Sequence, residues 1–247
     1  MMMNSEVVIN GIVIKQVPYG ENDAIITCLC ESGIVTFKAR GVLKPSSKNM
    51  SSCLMYAYSE FTLVQKKSNN YLTKAKLISS NYKLYENLEF MTCLGLISEC
   101  INTFLDEKVS KLIYDSFHLL LKGINDGFDI YTLTLINLAK IVKESGYGID
   151  VNSCIRCGGK KSIVSINLNE GGFICKKCCT AQDEVKSTTY LKTVRYVFNV
   201  DLDNYYHYVL DKKVTIKLIR EYVFYLQECF GYKKLKFFEL FEQIVEM

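Results

Sequence analysis

Residues 6–17, EVVINGIVIKQV, are rich in Val and Ile and alternate, the pattern of a half-buried β-strand. The turn YGENDA leads into DAIITCLCES (23–32), a second strand, and Gly33 turns the chain into a third, GIVTFKARGV (33–42). LKPSSKNMSS (43–52) is a polar, basic loop holding one of only two prolines. CLMYAYSEFTLVQKK (53–67) reads as a long strand, and SNN turns it back into YLTKAKLIS (71–79). Five short antiparallel strands in about 80 residues fit a Greek-key barrel of the OB type, a fold whose faces bind single strands or other ligands.

From about residue 80 the apolar period lengthens from 2 to 3.6. Segments 84–105, 108–123 and 129–145 carry helical stripes, such as Leu94, Ile97, Ile101 and Leu105. Segments 187–200, 212–230 and 233–247 read as helices again. The expected organisation is α+β: an N-terminal five-stranded OB-type barrel over 1–80, then a helical domain over 81–247. A four-cysteine module over 150–182, expected to be a zinc ribbon, is inserted into the helical part. No internal repeat or low-complexity tract is present.

That module contains CIRCGGKK (154–161) and GGFICKKCC (171–179), two Cys-x-x-Cys pairs separated by 17 residues. A tetrahedral zinc ion takes four thiolates at about 2.3 Å, and two such knuckles supply them. Cys154, Cys157, Cys175 and Cys178 are the candidate ligands. Cys179 adjoins the last and could stand in for it, although Cys178 keeps the two-residue spacer. The intervening KKSIVSINLNEGGFI reads as a hairpin. Metal binding worth about 10–16 kcal/mol would then be folding energy for the module. A thioredoxin-like centre needs a single pair at a helix N-terminus, and a catalytic zinc site keeps an open position and usually a histidine. The only histidines, His118 and His207, lie far away in sequence.

Eleven cysteines in 247 residues do not describe a small disulfide scaffold. Cys28, Cys30, Cys53, Cys93, Cys100 and Cys229 sit in apolar runs and read as small buried hydrophobes of a reducing compartment. The most apolar stretch, FMTCLGLISECINTFL (90–105), contains Glu99 and Asn102 and is too short for a membrane span. The N-terminus lacks the basic start and cleavage site of a signal peptide, so a soluble cytoplasmic protein is expected. No phosphate-binding glycine loop, nucleophile elbow or zinc-protease motif occurs.

The net charge of +4 is unevenly spread. Residues 1–80 hold nine Lys/Arg against five Asp/Glu, so the whole excess lies there and points to an anionic partner. Lys38, Arg40, Lys44 and Lys48 lie on one strand–loop unit. Lys66, Lys67, Lys74 and Lys76 flank the next hairpin, so together these residues could track a phosphate backbone. Tyr19, Phe37, Tyr56, Tyr58 and Tyr71 lie nearby as candidate base-stacking residues, about half of which a barrel must turn inward.

The order of modules resembles the RecO family of bacterial recombination mediators. YGENDAIITCLCESGIVTFKARGVLKPSSK (19–48) is similar to that family's N-terminal signature, and CIRCGG…INLNEGGFICKKC to its zinc element. The loop after Gly41 departs from the family by offering Lys44 and Lys48 in place of several arginines, which keeps phosphate attraction but not bidentate contacts. The resemblance implies a non-enzymatic, nucleoid-associated protein with structural Zn2+ that binds single- and double-stranded DNA and anneals complementary strands. It implies cooperation with RecR, and with RecF in some pathways, in loading RecA onto DNA covered by single-strand-binding protein (SSB). It also implies contact with the acidic C-terminal tail of SSB. Lys192, Arg195, Lys217 and Arg220 are candidate rim residues for that tail in the helical domain. An adaptor that binds only proteins, and a zinc-thiolate redox protein, are the competing readings.

Overall fold

A computed structural model of the chain describes residues 6–66, 68–203 and 210–246, the side chains of 82 and 83 excepted. Lys67 and His207, singled out above, lie outside the described residues. The chain divides into two compact units. One holds the described residues up to Asn87 together with Asp106–Tyr114. The other holds Leu88–Leu105 and the described residues from Asp115 onward.

In the first unit β1 (Glu6–Tyr19), β2 (Asp23–Cys30), β3 (Gly33–Ala39), β4 (Tyr58–Lys66) and β5 (Asn69–Ser79) close into an OB-type barrel in the order β1-β2-β3-β5-β4. β1 is long because it serves two neighbours: Glu6–Ile12 pair with β4, and Gly11–Tyr19 pair with β2. At the handover the register slips between Val13 and Lys15, and Ile12, Val13 and Ile14 are buried in succession. This is a bulge of the kind that bends a strand around a barrel corner. Gly11 belongs to the same corner, since a Cβ there would lie 2.8 Å from Cys30 Sγ. Ile26, Cys28, Cys30, Phe37, Cys53 and Phe61 fill the interior.

Two expectations are corrected here. The strands are not all antiparallel, because β3 meets β5 in parallel at Lys38 and Tyr71. An odd number of strands cannot alternate direction around a closed ring, so one seam must be parallel. The run 53–67 is strand only from Tyr58 onward. Residues Ser51–Cys53 form a 3₁₀ turn, and Tyr56 has φ +61°. The bulge leaves Val13 free to bond this loop: Tyr56 N donates to Val13 O at 2.8 Å, and Val13 N to Ala57 O at 3.0 Å. Cys53 and Tyr56 are thus core residues without being strand residues.

The second unit is built on α1 (Leu88–Phe104), α2 (Lys111–Asn125) from Asp115 onward, α3 (Ile130–Glu144), α4 (Thr188–Asn199), α5 (Lys212–Phe230) and α6 (Lys236–Glu246). α1 starts at Leu88 rather than 84 because Tyr82–Glu86 form a 3₁₀ turn. α3 is buried on every face from Ile130 to Val142 and packs against α1, α4 and α5. Asp129, Ser187 and Asp211 cap α3, α4 and α5 by accepting from Thr132 N, Tyr190 N and Val214 N. Between α3 and α4 the strands β6 (Ile163–Asn167) and β7 (Gly172–Cys175) form a hairpin. Arg195 on α4 donates to Val151 O at 2.9 Å and so ties the hairpin module to the helices. Among the described residues no helix is long and apolar enough to cross a membrane.

Candidate metal centre and nucleic-acid interface

The first knuckle is a tight turn in which Gly158 N donates to Cys154 O at 2.7 Å and Cys154 N to Gly159 O at 2.8 Å. Cys178 N and Cys179 N both donate to Cys175 O in the second. The hairpin brings the two turns together, and the sulfurs of Cys154, Cys157, Cys175 and Cys178 all lie within 4.8 Å of one another. The Sγ atoms of Cys157 and Cys175 are 3.7 Å apart. Four thiolates around one ion at about 2.3 Å in a tetrahedron would be about 3.8 Å apart. The residues therefore fit a tetrahedral metal ion. The four-cysteine group does not include Cys179, so the ligand set keeps the two-residue spacer on both sides.

Electrostatics prepare the sulfurs unequally. Burial alone would push the Cys154 thiol up, but N–H groups of Cys175, Arg156 and Cys157 aimed at its sulfur outweigh burial and bring it well below the ordinary thiol value. Cys178 is pushed the other way, first by hydrogen bonding to the thiols of Cys157 and Cys175. Four sulfurs without a cation must share protons, and a cation removes that conflict.

Arg156 is the residue that sequence reasoning missed. It lies between the first two ligands and donates to Glu170 Oε2 at 2.8 Å, to Asp183 Oδ2 at 2.7 Å and to Cys178 O at 2.7 Å. One guanidinium thereby joins the first knuckle, the hairpin turn and the segment after the second knuckle. Its position inside the Cys-x-x-Cys spacer was the only available signal.

On the barrel, the expected basic residues divide. Arg40 and Lys44 are exposed and line one depression with Tyr19, Gly20, Glu21, Asn22, Asp23 and Gly41. Arg40 also lines a second depression with Glu6, Val64, Lys66, Tyr71, Leu72 and Thr73. Arg40 is the residue that both depressions share, and we call the pair flanking it the groove. Its guanidinium lies 5.3 Å from the Tyr71 ring centroid, and Lys38 Nζ lies 3.8 Å from that of Tyr19. Lys38 is also paired with Asp23 at 3.4 Å, so it is the least available of the group. Asn49 Oδ1 accepts from Ala75 N at 3.1 Å, which seats exposed Lys48 beside the β5 segment carrying exposed Lys74 and Lys76.

The aromatic residues separate as well. Phe37 and Tyr56 are 2% and 0% exposed, and Phe37 packs on Phe61 with centroids 5.0 Å apart. The stacking expectation is corrected for these two, because inward side chains of a filled barrel meet no base. Tyr58 is half-buried, hydrogen-bonded to Tyr114, and six residues, or about 20 Å, along β4 from Val64 of the groove. Tyr19 and Tyr71 remain in the groove. In the helical unit, Arg195 bonds Val151, Arg220 pairs with Glu242 and Lys217 approaches Glu221, so three of the four candidate rim cations are engaged.

Comparison with known proteins matches the chain to two family models: the N-terminal region of recombination protein O over residues 3–81, and its C-terminal region over 85–228. A DNA repair protein RecO from Clostridium perfringens is 28% identical, covering 96% of this chain and 97% of the relative. One from Exiguobacterium sibiricum is 25% identical, covering 96% of each. One from Bacillus subtilis is 27% identical, covering 68% of this chain and 67% of the relative.

Proposed function

The chain belongs to the RecO family of DNA repair proteins, and on that premise we propose that its barrel binds DNA through the groove centred on Arg40. The observation that carries this reading is that one exposed arginine lines two depressions, with Lys44 in one, Lys66 in the other and a tyrosine in each. Cations at intervals neutralise phosphates, while Tyr19 and Tyr71 offer π-faces that any base can use. Lys48, Lys74 and Lys76 extend the basic track. Such a groove holds strands without reading sequence, as strand annealing requires.

The protein then acts as a mediator and not as a catalyst. It holds single strands, anneals complementary ones and, with RecR and in some settings RecF, helps load RecA onto SSB-coated DNA. The likeness to the family supports these partners, including the acidic tail of SSB. The four thiolates hold Zn2+, favoured by the all-sulfur donor set and the tetrahedral spacing. Bound there, the ion supplies folding free energy to the module.

A salt titration of binding to labelled single-stranded DNA, with and without a chelator, tests the reading. Micromolar or tighter binding that weakens with salt and survives chelation supports DNA contact in the barrel with a structural metal. Collapse on chelation would move the cysteine module into the DNA site or make the fold depend on it. Absence of binding at low salt would favour an adaptor that binds only proteins.

A further inference from the structure

Three acids, Glu6, Glu21 and Asp23, line the groove among its cations, and Asp23 is the one bonded to the turn that carries Arg40 and Lys44. Asp23, the first residue of β2, pairs with Tyr19 of β1, lines the groove with Arg40 and has a side chain 29% exposed. Its two oxygens have different partners. Oδ1 accepts from Gly41 N at 2.8 Å, and Oδ2 pairs with Lys38 Nζ at 3.4 Å.

Both contacts bear on the cations. Pairing between β2 and β3 ends at Ala24 and Ala39, so Arg40 already lies beyond the ladder. Two bonds hold the chain after that point: Asp23 Oδ1 to Gly41 N, and Asn22 O to Leu43 N at 2.9 Å. Gly41 has φ +62°, and Lys44 N closes the turn on Gly41 O at 3.3 Å. The carboxylate thus anchors the residue between Arg40 and the turn that presents Lys44. The other oxygen keeps Lys38 over Tyr19, an arrangement in which the ammonium is already neutralised.

We propose that Asp23 is a positioning residue of the DNA groove, fixing the Arg40–Lys44 turn through Gly41 while withholding Lys38 from phosphate. The inference rests on the groove being the DNA site. It gives the carboxylate two opposed effects on affinity. The Gly41 bond favours binding by ordering the turn in advance, and the negative charge opposes binding by occupying Lys38 and repelling phosphate.

Two substitutions separate these effects. Asp23→Asn keeps an acceptor for Gly41 and removes the charge. Asp23→Ala removes both. Single-stranded DNA affinity and its salt slope are measured for the native chain, both variants, and the Arg40→Ala/Lys44→Ala/Lys48→Ala triple variant. Asp23→Asn is expected to tighten binding about two- to fivefold, as for loss of an exposed ion pair, and to steepen the slope by about 0.7 as Lys38 gains a phosphate. Asp23→Ala is expected to weaken binding severalfold relative to Asp23→Asn. If Asp23→Ala disrupts the barrel, the Asp23→Asn slope alone decides.

A purely structural carboxylate would leave the slope unchanged in Asp23→Asn, and that result overturns the proposal. Native affinity and slope in both Asp23 variants, with the triple variant impaired, also overturns it while the groove stands. A triple variant that binds as the native chain does removes the groove itself, and the role of Asp23 with it.

Discussion

Arg156 and Asp183, 27 residues apart, are joined by two hydrogen bonds of 2.7 and 2.9 Å, and the same guanidinium donates to the carbonyl of the metal-ligand candidate Cys178 at 2.7 Å. The Asp183 side chain is 2% exposed and that of Arg156 25%, so the pair is a partly shielded brace at the surface of the module. Partners one shell out from a metal orient its ligands, and losing them typically costs about 10–100-fold in metal affinity. Arg156→Ala is therefore expected to lower zinc affinity about tenfold or more, read by competition with a chromophoric chelator. Arg156→Lys is expected to recover little, because an ammonium cannot reproduce the planar fork.

Lys140 gives a prediction in pH. It is 4% exposed on α3, and its Nζ donates to Phe198 O at 3.1 Å, in the last turn of α4, and to Val200 O at 3.2 Å, its C-cap. Burial, helped by Lys143 and opposed by Asp201, lowers its ammonium to about 8. The unfolded chain holds that proton up to about 10.4, so it binds more protons than the native state between these values. Stability contributed by this group should be greatest above pH 10 and fall as pH drops through 8. Urea denaturation at pH 7, 8, 9 and 10 reads the trend. Lys140→Met should flatten it, and it should cost about 1–3 kcal/mol at pH 7 by leaving carbonyls unpaired.

The C-terminal helix is held by a carboxylate from another helix. Glu99 on α1 accepts from Lys236 N at 3.0 Å and Phe237 N at 2.9 Å, capping α6 from outside. Glu99→Ala should cost about 0.5–2 kcal/mol, the range for a lost N-cap, and speed amide exchange in Lys236–Glu246 first. Gly95 faces the Phe237 ring at the same junction, and an added methyl would overlap it. Gly95→Ala should therefore release the same helix, measured by the same exchange pattern.

What could be read in the sequence follows from which signals are local. The Val- and Ile-rich runs EVVINGIVIKQV and DAIITCLCES placed two strands through local composition, but not their facing, since Val7, Val8 and Val17 are exposed while Ile12, Val13 and Ile14 are buried in succession. CLMYAY misled because burial without strand geometry leaves the same apolar composition. Cys53 and Tyr56 are core residues held by a loop bonded to Val13, a partner some 40 residues away that no window of sequence contains.

The four-cysteine cluster was legible because spacing carries the chemistry: Cys-x-x-Cys states both donor type and turn geometry. The groove was only half legible. The excess charge of 1–80 pointed to Arg40, Lys44 and Lys66, which line the groove, but Phe37 and Tyr71 differ in exposure through which way they face, and that depends on register. Asp23 looked like an ordinary turn acid, and its partners Gly41 and Lys38 become visible only when β2 and β3 pair.

Metal removal should act locally. With the sulfurs of Cys154, Cys157, Cys175 and Cys178 within 4.8 Å of one another, chelation leaves their shared-proton conflict unrelieved. Hydrogen exchange is expected to accelerate over residues 150–186 while β1–β5 keep their protection. Cys154→Ser should reproduce this pattern without chelator, and elemental analysis should find the proposed one zinc per chain in the native protein and none in the variant.

The most direct measurement compares the native chain with the Arg40→Ala/Lys44→Ala/Lys48→Ala variant for binding to labelled single-stranded DNA across a salt series. If each cation neutralises one phosphate, the variant should bind at least about tenfold more weakly at low salt, and its log–log slope should be shallower by about 2. The same affinity and the same slope in both proteins would contradict the assignment of DNA binding to this groove.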